Sequence, residues 1–432
     1  MTTKASWHHP MLPWIIWGIG ATFFFYDYIN QVVPGIIGPS LIQAFQVSTA
    51  ALGTLSAYYF YSYAVMQIPV GLIVDHFGPH RPLVIAALVA AGGNLLLAKA
   101  STFGGVEIYR LLVGFGAAFS YVGVLKLISN WFPAGRFATL AGLTNTLGMI
   151  GAVVGNAPFA DLVEHVGWRG SLVTIGLIGV GLTVLILLVL RDHQRDAVPW
   201  HELPGNERGL YKTWADLKHV FTMSQFWILG VYITTMNITF TAFGAVWGPS
   251  YLQKLYEINE VKAAGAVSLL FVGGIFGAIF YGTFSDRLQR RKLPMLMGSI
   301  TALLVMVLLL YGPKVPFTAI YVLLFLQGFS CNGLVLGYSV AHDISPPGSA
   351  GAAAGFANTI CAGGTAIFLP IMGWLSTFSS AGKHGTGAAD ALSVADYRLA
   401  LSFLVAALAV AVIMAFLCRE THCRELYPSN PP

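Results

Sequence analysis

Charge is what this chain has least of. Only 9% of its 432 residues are Asp, Glu, Lys or Arg, where a soluble domain carries about 25%. Hydrophobic residues make up 56%, and the mean hydropathy is +0.71. Such a chain has too little polar surface for an ordinary soluble enzyme and reads as a polytopic membrane protein. Cysteine is scarce as well, at four residues. Cys331 and Cys361 fall inside apolar runs, and Cys418 and Cys423 stand near the C-terminal end, so no spacing marks a disulfide framework or a zinc site. His76 and His80 are four apart and His8 and His9 are adjacent, but neither pair has a third ligand nearby, so no metal and no cofactor is expected. HExxH, GxSxG and P-loop patterns are missing, which argues against an enzyme. The formal net charge of +5 is not a nucleic-acid footprint, because the basic residues stand at the ends of apolar runs and form no patch.

What is abundant is apolar sequence in membrane-length runs. A spanning helix needs about 20 mostly apolar residues. Twelve runs qualify, at 12–36, 50–74, 82–99, 104–129, 137–160, 170–190, 225–251, 263–284, 293–312, 316–341, 349–376 and 397–418. The first is too long for a cleaved signal peptide and carries Tyr26-Asp27-Tyr28 within it, so it is expected to be a span. The long polar stretch between runs six and seven divides the chain into an N-terminal six-helix bundle (1–190), a cytoplasmic linker (191–223) and a C-terminal six-helix bundle (224–432). With the N-terminus inside, inner segments hold fourteen Lys and Arg and outer segments seven, which places both termini in the cytoplasm.

The two halves are related. Gly71-x-x-x-Asp75 returns as Gly282-x-x-x-Asp286, 211 residues later, each time at the end of an apolar run. GPSLIQ at 38–43 returns as GPSYLQ at 248–253, Ala141-Gly142-x-x-Asn145-Thr146 as Ala354-Gly355-x-x-Asn358-Thr359, and Gly114-Phe115 as Gly328-Phe329. Four matches in chain order at nearly one offset indicate a duplication. The fold class expected is an all-α membrane protein of 12 transmembrane helices in two pseudo-symmetric six-helix bundles. That architecture suits the movement of a solute across a bilayer.

On these motifs the chain resembles the major facilitator superfamily over almost its whole length. The GxxxD-basic segments match the loop signature of that family, with His76 and His80 standing where Arg or Lys is usual. Arg110-x-x-x-Gly114-x-Gly116-x-Ala118 is similar to the span-four signature. The glycine-rich run Gly148, Gly151, Gly155, Asn156-Ala157-Pro158 departs from the Gly-Pro pair of antiporters, which argues against an exporter. Lys126 to Pro133, with Arg136-Phe137-Ala138 and Gly148 to Gly151, is similar to the phagosomal-transporter group of intracellular bacteria. The resemblance implies a monomeric, multi-pass protein of a bacterial inner membrane, with a small-molecule substrate, protons and the lipid bilayer as partners. It implies proton-coupled import of a small polar nutrient such as an amino acid, nucleoside, carboxylate or siderophore; the alternative is efflux of a drug or siderophore. It also implies that Asp75, with Arg81, engages a helix N-terminus in the opposite half and latches the outward-open state, and that Asp286, with Arg287 and Arg291, does the same for the other half.

Charges within a bilayer are costly and each needs a reason. Asp27, Arg110 and Lys126 lie deep in spans, and Glu107 lies near the outer end of span four. Asp27 is about nine residues, or ~13 Å, from the outer end of span one, and Arg110 about six residues, or ~9 Å, from the same side. Their depths match within a helical turn. Asp27 is therefore expected to be the proton-coupling carboxylate and Arg110 its switchable partner, with Glu107 competing for the guanidinium. The competing account is a fixed ion pair bracing spans one and four. Lys126 is 16 residues beyond Arg110, so the two cannot share a face of a straight helix. It either snorkels to the inner surface or attracts an anionic substrate.

Through the repeat, Asp27 corresponds to Asn237 and Arg110 to Leu324. The first half therefore couples, and the second offers neutral contacts to substrate: Asn237, Thr241, Gln327, Asn332, Tyr338 and Asn358. Asn30 and Gln31 follow Asp27 closely enough to assist it or touch substrate, and Asn145 is the repeat partner of Asn358. Tyr59, Tyr63 and Gln67 form one stripe of span two, which either lines a polar pathway or packs against the aromatics of span one. Asn and Gln in spans also join helices by hydrogen bonds, and that account stands beside substrate contact.

Overall fold

A computed structural model describes residues 11–48, 50–133, 136–192, 222–345, 350–381 and 392–424. The expected linker at 191–223 lies, apart from its ends, outside the described residues, as do His8 and His9 and the side chains of Asp75 and His76. Apolar runs that cannot leave backbone groups unpaired in a bilayer become helices. They are α1 (Leu12–Phe45), α2 (Ala50–Phe77), α3 (His80–Ala98) and α4 (Phe103–Trp131). The helix Phe137–Val189 is broken at Gly167, where φ 72° and ψ 164° suit a residue without Cβ, into α5 (137–166) and α6 (168–189). The second half holds α7 (Ser224–Tyr256), α8 (Glu260–Leu288), α9 (Lys292–Tyr311), α10 (Phe317–Asp343), α11 (Ala350–Ala381) and α12 (Val394–Leu417). These are the twelve expected passes in two bundles of six. Span one runs on past its expected end to Phe45, carrying Pro34 and Pro39 within the helix.

The duplication is visible in the backbone. Gln46 (φ 54°) and Glu257 (φ 55°) end α1 and α7 with the same left-handed cap, 211 positions apart. Gly78 (φ 74°) and Gln289 (φ 52°) turn the chain after the two GxxxD motifs at the same offset. Gly114 and Gly328, paired by the repeat, share a packing task. A Cβ on Gly114 of α4 would run into the Tyr59 backbone carbonyl of α2, and one on Gly328 of α10 into the Leu270 carbonyl of α8. Each glycine lets two helices touch backbone to backbone.

Symmetry fails in two places. α7 is π-helical over Thr239–Trp247, and α10 tightens to a 3₁₀ turn at Asn332–Leu334. Interruptions of this kind often mark functional regions of helices.

The halves meet along α2 and α11, α5 and α8, and α1 and α7. Several of these contacts lie towards the face away from the described chain ends. Gly35 of α1 abuts the Ala245 carbonyl of α7, Gly265 of α8 lies against Ala157 of α5, and Ser268 of α8 bonds the Val153 carbonyl at 3.4 Å. Gly53 of α2 faces α11, where an added Cβ would sit 2.5 Å from the Leu369 carbonyl and 3.2 Å from Gly373. Gly53→Leu is expected to cost this closed face about 1–3 kcal/mol by overpacking. Spin labels at Val47 and Ile258, on the turns of that face, should then report longer distances than in the parent protein.

Candidate functional site

Asp27 is 4% exposed and Arg110 2% exposed, in the middle of the first bundle. The close approach at Gly114 sets α4 against α2 and brings Tyr59 to both charges. The Tyr59 hydroxyl donates to Asp27 Oδ1 in a short hydrogen bond, and Ser120 Oγ of α4 donates to Oδ2 at 2.9 Å. The Arg110 guanidinium lies over the Tyr59 ring, 4.8 Å from its centroid, a cation–π contact. Arg110 Nη2 donates to the Asn30 carbonyl at 2.7 Å, and its Nε is buried without a hydrogen-bond partner. Asp27 and Arg110, expected at one depth, thus meet the same tyrosine. Their contact runs through the tyrosine, and no ion pair within 4.0 Å joins them among the described residues. Glu107 is half-buried, and no hydrogen bond or ion pair ties it to Arg110.

Asn30 has a fixed set of partners. Its Nδ2 donates to the Tyr26 carbonyl at 2.8 Å, and its Oδ1 accepts from Asn94 Nδ2 of α3 at 2.7 Å. Asn94 also donates to the Tyr26 hydroxyl at 2.9 Å, and that hydroxyl reaches the Ile175 carbonyl of α6 at 3.3 Å. Asn30 therefore braces α1, α3, α4 and α6 through Asn94, Tyr26 and Arg110. Asn94 and Ser120 were missed from sequence. Asn94 is a lone amide in the apolar run of span three, and the cost of burying it there was the available signal.

The second-half candidates divide. Asn332, at the 3₁₀ turn, makes a short hydrogen bond to the Gly274 carbonyl and lies 3.8 Å from Met149 Sδ of the opposite half. Thr241 bonds back to its own helix at 3.4 Å. Gln327 Nε2 reaches Cys331 Sγ at 3.4 Å, while its Oε1 is buried without a partner. Asn237 faces Cys361. A chain of polar groups crosses between halves: the Tyr338 hydroxyl donates to Asn358 Oδ1 at 3.3 Å, and Asn358 Nδ2 to Gln67 Oε1 at 3.0 Å. Tyr63 faces Gln67 and Asn358 and stacks on Tyr59, with centroids 6.0 Å apart and planes 16° apart. The tyrosine stripe thus joins the Asp27 pair to the cross-half contact. Gln31, Lys126 and Asn145 are half-buried.

Asp286 and Arg291, expected as gate residues, pair within the second half. Arg291 bonds Asp286 at 2.7 Å and Asp343, at the end of α10, at 3.1 Å. Burial works to lower Arg291, but the Asp343 carboxylate, helped by Asp286, holds it above its ordinary value. Thr421 donates to Asp343 Oδ2 at 2.7 Å. The Glu420 carboxylate accepts from the backbone of Arg291 (2.8 Å), Lys292 (3.1 Å), Thr421 (3.1 Å) and His422 (3.1 Å). Burial works to raise Glu420, yet these N–H groups hold it below the usual carboxylate value. Residues 418–424 thus strap the start of α9. In this conformation Arg291 is placed beside Asp343 of its own bundle. Arg81 and Arg287 are exposed.

The model of the Major Facilitator Superfamily matches residues 19–369 and 266–425. The chain belongs to this superfamily. Among its relatives, a probable sulfoacetate transporter of Cupriavidus necator is 25% identical over 294 residues, which is 64% of this chain and 66% of that protein. A probable galactarate/D-glucarate transporter of Bacillus subtilis is 25% identical over 363 residues, 77% of this chain and 79% of the relative. A solved bacterial homologue of the human lysosomal transporter Spinster, in an inward-facing and unoccupied conformation, superposes with TM-score 0.75 at 16% identity, covering 96% of this chain and 98% of that one. The nucleoside transporter NupG superposes with TM-score 0.68 at 14% identity, covering 94% and 98%. At these identities the solved structures establish the shared fold alone.

Two outcomes follow for this superfamily member. Asn94→Ala leaves Asn30 and Tyr26 short of a donor and is expected to cost about 1–2 kcal/mol, read as earlier thermal unfolding in detergent. Because the Glu420 carboxyl is lowered in the folded protein, its stabilisation is present above the ordinary carboxylate range and lost as pH falls through the lowered value. The unfolding midpoint of Glu420→Gln should therefore trail the parent by about a degree or two at neutral pH. The two should converge in acid.

Proposed function

We propose that this protein is a proton-coupled symporter that imports a small organic acid by alternating access. The observation that carries the reading is the buried Asp27–Tyr59–Arg110 arrangement, in which Arg110 keeps an unpartnered Nε. A buried guanidinium edge without a partner is a costly feature to leave unused and suits a carboxylate brought in from outside. Asp27, gripped by two hydroxyl donors, accepts a proton when Tyr59 is drawn towards the substrate held by Arg110. Proton and anion would then load together, which makes the pair electrically cheaper to carry through the closed state. The substrates for which these relatives are named, sulfoacetate and galactarate or D-glucarate, are anions of this kind.

Asn237, Gln327, Tyr338 and Asn358 are proposed to meet the remainder of the substrate from the second half, with Gln327 Oε1 accepting from a hydroxyl. With both chain ends in the cytoplasm, the face closed at Gly35, Gly53 and Gly265 is the external one, and substrate leaves on the other side. The protein is proposed to act as a transporter without enzymatic activity, in a bacterial cytoplasmic membrane.

The test is uptake into proteoliposomes under an imposed pH gradient, acidic outside, with sulfoacetate and D-glucarate as first substrates. The parent protein should accumulate at least one of them. Asp27→Asn should retain exchange at equal concentrations but lose accumulation, and Arg110→Gln should lose both. Gradient-driven accumulation by Asp27→Asn, with unchanged pH dependence, would sink the assignment. Accumulation driven only when the lumen is made the acidic side would point to efflux.

A further inference from the structure

Away from Asp27 and Arg110, the structure opens where α9 begins and α12 ends. A cavity of about 340 Å³ opens there, lined by Arg290, Lys292, Leu293, Leu296, Glu420 and His422. We infer that this cavity binds the headgroup of an anionic phospholipid. Its lining combines the basic Arg290 and Lys292 with the apolar Leu293 and Leu296. Glu420 is the acidic group of the lining, and its oxygens are already taken by four backbone N–H groups. Asp286 and Asp343 are engaged by Arg291. Arg290 is exposed and has no carboxylate partner among the described residues. The Lys292 ammonium lies 4.8 Å over the Phe416 ring, at the rim. The charge facing the cavity is thus positive, supplied by Arg290 and Lys292.

The surroundings favour a lipid over a free phosphate. From the cavity an exposed apolar stripe runs along α9 through Leu293, Met297, Ile300 and Leu304, at the spacing of one helix face. The neighbouring α12 exposes Ile413 and Phe416 beside it. A phosphodiester seated against Arg290 and Lys292 would lay its acyl chains along this stripe, the arrangement expected of a basic pocket between helices at the membrane surface. A soluble phosphate would gain nothing from the stripe. Binding would also hold the strap 418–424 against α9, next to the Arg291–Asp343 pair.

The purified full-length protein in neutral detergent tests this. Dioctanoyl-phosphatidylglycerol, dioctanoyl-phosphatidylcholine and glycerol phosphate are titrated separately and binding is read by native mass spectrometry. The expected result is retention of phosphatidylglycerol and weaker retention of phosphatidylcholine and glycerol phosphate. Arg290→Ala with Lys292→Ala should weaken phosphatidylglycerol binding about 25-fold, near fivefold for each charge. Lys254→Ala with Lys314→Ala, on the opposite face, should leave it unchanged. If the double variant fails to fold, Arg290→Gln alone, which removes no described side-chain contact, should still weaken binding about fivefold. Equal binding by the parent and the cavity variants overturns the site. Glycerol phosphate binding as tightly as phosphatidylglycerol overturns the lipid assignment, and so does equal binding of the two lipids.

Discussion

The first bundle is organised around one tyrosine that serves two buried charges. Tyr59 gives its hydroxyl to Asp27 and its ring face to Arg110, so a carboxylate and a guanidinium share a low-dielectric interior without touching. That position is available because Gly114 lets α4 lie directly on the backbone of α2. Arg110 in turn takes the carbonyl of Asn30, whose side chain is locked by Asn94 and Tyr26. Charge placement, helix packing and the amide network are therefore one system, and a change in any part is felt at the carboxylate.

The second bundle repeats the packing without a counterpart of the buried Asp27–Arg110 pair. Gly328 closes α10 onto α8 as Gly114 closes α4 onto α2. Leu324, buried, stands where the repeat would put Arg110, and Asn237 where it would put Asp27. The candidate contacts of this half, Asn237, Thr241, Gln327, Asn332, Tyr338 and Asn358, are amides and hydroxyls, and Asn358 crosses to Gln67 of the first half. A duplicated scaffold has thus kept what holds helices together and diverged in the polar groups buried between them.

Much of this was legible from residue order. Apolar run length gave the passes because a bilayer fixes the helix length. The repeat gave the two bundles, and the cost of burying charge singled out Asp27 and Arg110. The intermediary was not legible. Tyr59 was one of several tyrosines in a stripe, and nothing in its spacing says that it, and not a direct ion pair, would join Asp27 to Arg110. Asn30 read as a substrate contact because its neighbour in sequence was Asp27, whereas its partner Asn94 is two helices away. Asp343 stood at a span end, where charges are ordinary, and its pairing with Arg291 depends on tertiary placement alone.

The π-helical stretch of α7 has a mechanical consequence. A wider turn places more residues in the same axial length than an α-helix does, so Thr239–Trp247 holds chain in reserve. Returning that stretch to α geometry would lengthen and rotate the segment beyond it without breaking the helix. Ala245 sits within the reserve and presses directly on Gly35 of α1. This seam between the halves is thus built on a slip joint, whose rewinding would move Ala245 relative to Gly35.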